Sequence, residues 1–196
     1  MKEKRLAGPK LEGHLKHLDN ELQWMLRAAT EWFIQEQLCL GIDGYSVQVY
    51  ALDSACLHAR SLFEFFLEPK KGFLNERFKS ELYRSWRGSL QGFLMHVGDR
   101  SKTKQLVLSD KSMRDLNKMP VDFADEVLRI WKEFESKLCE STDEKDRELG
   151  RLAGERREDA IKQARRVLNS KVAQCHAKRK GLFLEPPSFL RDLNKH

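Results

Sequence analysis

Apolar residues recur at intervals of three and four along most of the chain, which is the spacing of residues on one face of an α-helix. The first such segment covers residues 14–40 and ends at the sequence GIDGYS, whose two glycines interrupt the pattern. The second covers residues 46–67 and is apolar around nearly its whole circumference. A helix with so little polar surface is typical of the centre of a bundle, so we expect it to pack on several sides. Asp43 or Ser46 is its predicted N-cap.

The middle of the chain predicts two more helices with a loop between them. The third helix covers residues 75–97 and ends at Gly98, which suits a C-terminal cap. Residues 99–119 are polar and aperiodic, so they are predicted to form a long loop. Pro120 then opens the fourth helix, because proline is well tolerated in the first turn.

The C-terminal part predicts a fifth helix, which begins after the cap residue Ser141 or Thr142 and runs to about residue 180. The sequence therefore predicts an all-α fold, a helical bundle of about five helices with a long loop between the third and the fourth. We expect residues 1–140 to form the helical bundle core and residues 141–196 to form a basic C-terminal helix and tail.

Composition narrows the class of partner only slightly. The 196 residues include 36 lysines and arginines and 30 acidic residues, a net charge of +6, which favours a polyanionic partner. Four cysteines lie far apart and form no CxxC pair, so we expect them to be reduced and mostly buried. They are Cys39, Cys56, Cys139 and Cys175.

Several classes of site and location are not expected. The opening sequence MKEKRLAGPK lacks the apolar run of an export signal, and no segment is apolar enough to span a membrane, so we expect a cytoplasmic protein. His14 and His17 are three residues apart but have no third ligand at a suitable spacing, so no metal site is predicted. The sequence contains no nucleotide-binding glycine loop and no recognisable catalytic triad, and no cofactor is expected.

The clearest charge feature is the stretch of residues 160–184, which contains seven basic residues and no acidic one. On a single helix, the basic residues and the apolar residues would occupy different faces, with Ile161, Leu168, Val172 and Cys175 on the apolar face. The basic face is either a solvated surface or a contact surface for the phosphates of a nucleic acid. The predicted nucleic-acid contacts are Lys162, Arg165, Arg166, Lys171, Lys178, Arg179 and Lys180.

Two polar features stand out in the predicted bundle core. Arg60 and Glu64 are four residues apart on the second helix, the spacing at which opposite charges meet. Because unpaired buried charges are costly, we expect these groups to have partners on a neighbouring helix, either in an ion-pair network that fixes the packing or with Arg60 in a polar cleft. His96 stands at the end of the apolar run SLQGFLM and is followed by Asp99 and Arg100. It is either a helix-end residue bonded to a nearby carboxylate or a functional group.

The two strings that surround these residues resemble a known family. HARSLFEFFLEP, residues 58–69, and LQGFLMHVGDR, residues 90–100, are similar to the two core helices of the HEPN-like helical bundles. In that family, one helix carries an arginine that is followed four to six residues later by a histidine. The resemblance extends over about a third of the chain. At the corresponding positions before His96, this chain has no arginine.

The resemblance implies a homodimeric bundle of four or five helices, often an RNA-cleaving toxin or a nucleotide-binding module, whose active members have their site at a cleft between the protomers. His96 would assist attack by the RNA 2′-hydroxyl through acid–base chemistry. Arg60 or Arg100 would replace the missing motif arginine, and Asp99 would be a charged neighbour. The implied activity is that of a ribonuclease or of a non-cleaving relative that binds RNA. The alternative is a non-enzymatic interaction module whose basic helix binds an acidic cognate partner protein.

Overall fold

The structure is a computed structural model that describes residues 6–38, 42–70, 72–95 and 113–191. This part of the chain forms seven helices and no β-strand, which confirms the predicted all-α bundle. None of these helices is long and apolar enough to cross a membrane. The predicted long loop falls largely on residues outside the described ranges. The helices are α1 (Leu11–Leu38), α2 (Ile42–Leu67), α3 (Glu81–Met95), α4 (Met113–Cys139), α5 (Glu144–Leu168), α6 (Lys171–Arg179) and α7 (Ser188–Arg191).

Helix α1, rather than α2, occupies the centre of the bundle. It packs against α2, α4, α5 and α6, whereas α2 packs against α1, α3 and α4. Between Met25 and Thr30, only Arg27 is exposed, so α1 is covered on nearly all sides there. The expected central position of α2 is therefore wrong, although that helix does contact several others. The apolar composition of α2 did not indicate which of the two helices packs against more of the others.

The core lies between α1, α2, α4 and α5 and is rich in aromatic side chains. Phe63 and Phe66 of α2 are fully buried, as the apolar character of that helix predicts. The ring of Phe66 meets those of Trp131 and Phe134 edge-on, with centroids 5.9 and 5.4 Å apart. Such edge-to-face pairs place the positive ring edge against the negative ring face and stabilise the packing beyond the burial of area.

Two predicted helix starts are wrong because the caps differ from those expected. Helix α2 already includes Asp43 and Ser46, so neither residue is its N-cap. Helix α5 is capped by Asp143 rather than by Ser141 or Thr142. The Asp143 carboxylate accepts hydrogen bonds from the backbone N–H groups of Lys145 and Asp146 in the first turn, at 3.0 and 3.3 Å. The carboxylate also complements the positive end of the helix dipole.

Pro120 does not open the fourth helix, since α4 begins at Met113 and contains the proline in its interior. An interior proline removes one backbone hydrogen bond and normally ends or kinks a helix. Here the turn before the proline is bound to α1. The indole Nε1 of Trp32 donates to the Asn117 carbonyl at 2.8 Å, and the Asn117 side chain donates to Glu36 at 3.2 Å. These contacts hold the turn before the proline against α1.

The described cysteines are free thiols in two different environments. Cys56 is buried in the core, where burial raises the pKa of its thiol far above the usual range, so it behaves as a small apolar residue. Cys139 and Cys175 are exposed, which contradicts the expectation of burial for these two. Cys39 lies outside the described residues.

Candidate functional site

The predicted fifth helix is two helices, with a break at Asn169 and Ser170. Asn169 ends α5, and its backbone N–H donates to the carbonyl of Arg165. The Ser170 side chain then caps α6 by accepting the Ala173 N–H at 3.2 Å. Because each residue satisfies the backbone groups of one helix end, the chain can change direction here at little cost.

This break changes which residues of α6 face the bundle. Ile161 and Leu168 are buried, as the single-helix prediction required, but Val172 is 68% exposed and Cys175 is also exposed. Ala173 and Ala177 take the buried positions instead. The predicted apolar face is therefore correct in α5 and wrong in α6, since the change of direction resets the helical phase.

Six of the seven predicted nucleic-acid contacts are exposed, and one of these six, Lys180, donates a hydrogen bond to a backbone carbonyl of α1. Within the described part of the chain, none of the other five side chains forms a salt bridge with a carboxylate. Arg166 makes a long hydrogen bond of 3.4 Å to Gln163. We call residues 160–184 the basic segment. Leaving aside Lys180, which binds the Leu38 carbonyl, we use the term five exposed cations for Lys162, Arg166, Lys171, Lys178 and Arg179.

The other two basic residues of this segment hold parts of the bundle together. Arg165 is half-buried and donates through Nη2 to the carbonyl of Leu190 at 2.9 Å, which fixes the short helix α7. The Lys180 ammonium donates to the Leu38 carbonyl at the C-terminal end of α1. Cations are favoured at such helix ends by the dipole. These two side chains therefore have a structural role, whether or not they also contact a nucleic acid.

A second cluster of charges lies between α2 and α3. Arg60 donates through Nε to Glu64 at 2.7 Å, which confirms the predicted ion pair, although the partner is on the same helix. Tyr83 of α3 is buried beside this pair, and its hydroxyl has no hydrogen-bond partner among the described residues. Burial raises the pKa of Tyr83, and the nearby carboxylates of Glu68 and Glu64 raise it further.

The predicted catalytic residues other than Arg60 are not part of the described structure around this cluster. His96, Asp99 and Arg100 lie outside the described residues, so their distance from Arg60 stays a prediction. The start of α3 is described, and it is later than predicted. Ser80 caps this helix by accepting the Tyr83 N–H at 3.0 Å, so residues 75–80 are not helical.

The histidines of α1 pack as aromatic rings. His14 lies 4.7 Å from the ring of Phe73 and 5.3 Å from that of His17, measured between centroids. Burial lowers the pKa of His14, and the nearby His17 lowers it further. His58 binds Glu21 at 2.8 Å. Among the described residues, no group of three or more histidine, cysteine or acidic side chains is arranged to hold a metal ion.

A cavity that the sequence did not indicate lies between α1, α4 and the segment that leads into α7. Its volume is about 710 Å³, which is in the range of small-molecule sites. Trp32, Phe33 and Val121 supply apolar wall. Charges of both signs surround them, including Glu36 and Lys118. Because the charges nearly balance, electrostatics alone does not select a class of ligand for this cavity.

Comparisons with known proteins add no assignment. No protein-family model, no curated protein and no solved structure matches the chain.

Proposed function

We propose that the chain binds RNA through the five exposed cations of the basic segment. The observation that supports this proposal is the absence of any acidic residue from positions 160–184, combined with the exposure of five cations. When such cations neutralise the phosphates of a nucleic acid, the counterions condensed on those phosphates are released into solution. This release of counterions gives affinity without requiring a particular base sequence.

The position of Lys171 supports a functional role over a merely solvating one. Lys171 is the first residue of α6, and the first turn of that helix contains no acidic residue. A cation there is unfavourable because it lies at the positive end of the helix dipole. The first turn of α5 instead carries Glu144 and Asp146, as the dipole favours. A residue kept at a cost to helix stability suits contact with an anion outside the chain.

The proposal can be tested with two charge-reversed variants of equal net charge. Lys162→Glu with Arg166→Glu removes two exposed cations of the basic segment. Lys145→Glu with Arg151→Glu makes the same change in charge in the first half of α5. Binding of a labelled single-stranded RNA is measured by fluorescence anisotropy between about 50 and 200 mM salt.

We expect the first variant to bind at least about tenfold more weakly, and the slope of log affinity against log salt to fall by about 0.7 per lost phosphate contact. The second variant should bind like the parent. Equal weakening in both variants would indicate a response to net charge only, and would contradict the proposal. Stronger binding of an acidic polypeptide than of RNA would favour the acidic partner protein instead.

Cleavage of the bound RNA stays a separate prediction, as does the homodimer that the HEPN-like resemblance implies. Both depend on His96 and its neighbours, which lie outside the described residues. The binding experiment does not require either one.

A further inference from the structure

Phe183 lies at the end of the basic segment with its ring in water. Its side chain is 83% exposed, more than that of any other large hydrophobic residue the structure describes. It follows the run Lys178, Arg179 and Lys180 along the chain. Exposing an aromatic ring of this size forgoes the free energy of its burial.

The backbone on both sides of Phe183 is fixed. Gly181 has a φ of +65°, a conformation that side chains disfavour, and it ends α6 in a Schellman turn. The Leu182 N–H donates to the Ala177 carbonyl at 2.9 Å, and the Gly181 N–H donates to the Lys178 carbonyl at 3.1 Å. After Phe183, the side chain of Leu184 is buried. The ring is therefore presented on an anchored backbone, so little conformational entropy is lost when it binds.

Two of the exposed cations are close to Phe183 along the chain. Arg179 is four residues from Phe183, so their Cα atoms are at most about 15 Å apart. Lys178 is one residue further away along the chain. Surfaces that bind single-stranded nucleic acids combine cations for the phosphates with an aromatic ring on which a base stacks. A base that is paired within a duplex does not offer its face to such a ring.

We propose that Phe183 stacks on an unpaired base of the RNA whose phosphates contact Lys178 and Arg179. This inference rests on the proposed function, and it adds that the chain selects single-stranded over duplex RNA. The cations that precede Phe183 in the chain favour a nucleobase over an apolar protein surface as the occupant of its ring, because the phosphates of the same strand could meet those cations.

The experiment compares the parent with Phe183→Leu and Phe183→Trp. Leucine keeps an apolar side chain but removes the aromatic face, whereas tryptophan enlarges that face. The probes are a single-stranded RNA, its duplex, and an abasic oligonucleotide of the same length, which keeps the phosphates and lacks the bases. Because Phe183 is exposed, we expect all three proteins to fold alike, which their thermal melting curves would verify.

On single-stranded RNA, Phe183→Leu should bind about 5- to 150-fold more weakly than the parent, and Phe183→Trp should bind at least as tightly as the parent. The salt dependence should not change, since no charge is altered. On duplex RNA and on the abasic oligonucleotide, the parent and Phe183→Leu should bind equally.

The result also separates the two proposals. If the parent binds no RNA, the proposed function fails. If the parent binds and Lys178→Glu with Arg179→Glu weakens the binding, but Phe183→Leu does not, RNA binding stands and stacking is wrong. A parent dimer that dissociates in Phe183→Leu, with unchanged RNA affinity, would assign the ring to a second copy of this chain and would also overturn the stacking proposal.

Discussion

The two parts of the C-terminal helical region use the same basic residue types in different ways. Residues 144–159 contain five basic and six acidic residues, whereas the basic segment contains seven basic residues and no acidic one. In the first part, Arg157 binds Glu135 of α4 at 2.9 Å, and Arg156 approaches Asp19 of α1 at 3.6 Å.

This difference shows that a basic side chain stabilises the fold here when a neighbouring helix has an oxygen that accepts its hydrogen bond. Arg157 is nearly buried, with its side chain 11% exposed, because Glu135 accepts its hydrogen bond. Arg165 follows the same rule through a carbonyl instead of a carboxylate. Five cations of the basic segment lack such an ion-pair partner among the described residues. They remain available to an external anion, and the two parts should respond differently to substitution.

The largest effect should come from the core contact that docks the first half of α5. Trp131 of α4 is fully buried, and its Nε1 donates to the Ala153 carbonyl at 3.0 Å. Trp131→Ala should lower the free energy of unfolding by about 3–5 kcal/mol, because it leaves a cavity and removes this hydrogen bond. Urea denaturation measures the change. A loss below about 1 kcal/mol would show that α5 is not docked in this way.

A smaller loss of stability is expected at the ion pair between α4 and α5. Arg157→Ala should cost about 1.5–3 kcal/mol, because the Glu135 carboxylate loses a charged hydrogen-bond donor in a largely buried position. The matched control is Arg151→Ala, since Arg151 and Glu155 form an exposed pair worth less than about 1 kcal/mol. Urea denaturation of both variants checks the difference. At temperatures where the variants remain folded, RNA affinity should equal that of the parent.

Sequence periodicity predicted the helices well, because an apolar stripe is a property of consecutive residues. The ion pair of Arg60 and Glu64 was predicted for the same reason, as both residues are on one helix. The division of the C-terminal region was not predicted. Residues 168–171 contain no glycine or proline that would indicate an interruption, and the break becomes visible only when Asn169 and Ser170 act as caps.

Features that depend on distant partners could not be predicted from spacing alone. Pro120 lies inside α4, and the turn before it is bound by Trp32, which is far away in the sequence. Arg165 and Lys180 donate to backbone carbonyls. Every residue has a carbonyl, so the sequence does not indicate which one a basic side chain will bind. Phe183 belongs to the apolar string GLFL, and periodicity gave no indication that its ring would face water.

The smallest predicted effect is a change in the free energy of unfolding after charge reversal at the starts of α5 and α6. The change should have opposite signs at the two helix starts. Lys171→Glu should raise the free energy of unfolding by about 0.5–1 kcal/mol at low salt, because it replaces a cation with an anion at the positive end of the α6 dipole. Glu144→Lys, at the start of α5, should lower it by a similar amount. Urea denaturation at low salt and at about 1 M salt checks both changes, since salt of that concentration screens them.

The same two variants should also differ in RNA binding. Lys171→Glu should weaken the binding, because it removes one of the five exposed cations, whereas Glu144→Lys should leave it nearly unchanged. A variant that becomes more stable as it loses affinity would mean that Lys171 is kept for binding rather than for folding. If Lys171→Glu is instead less stable than the parent, Lys171 contributes to the fold, and the contrast between the two parts of the C-terminal region does not extend to α6.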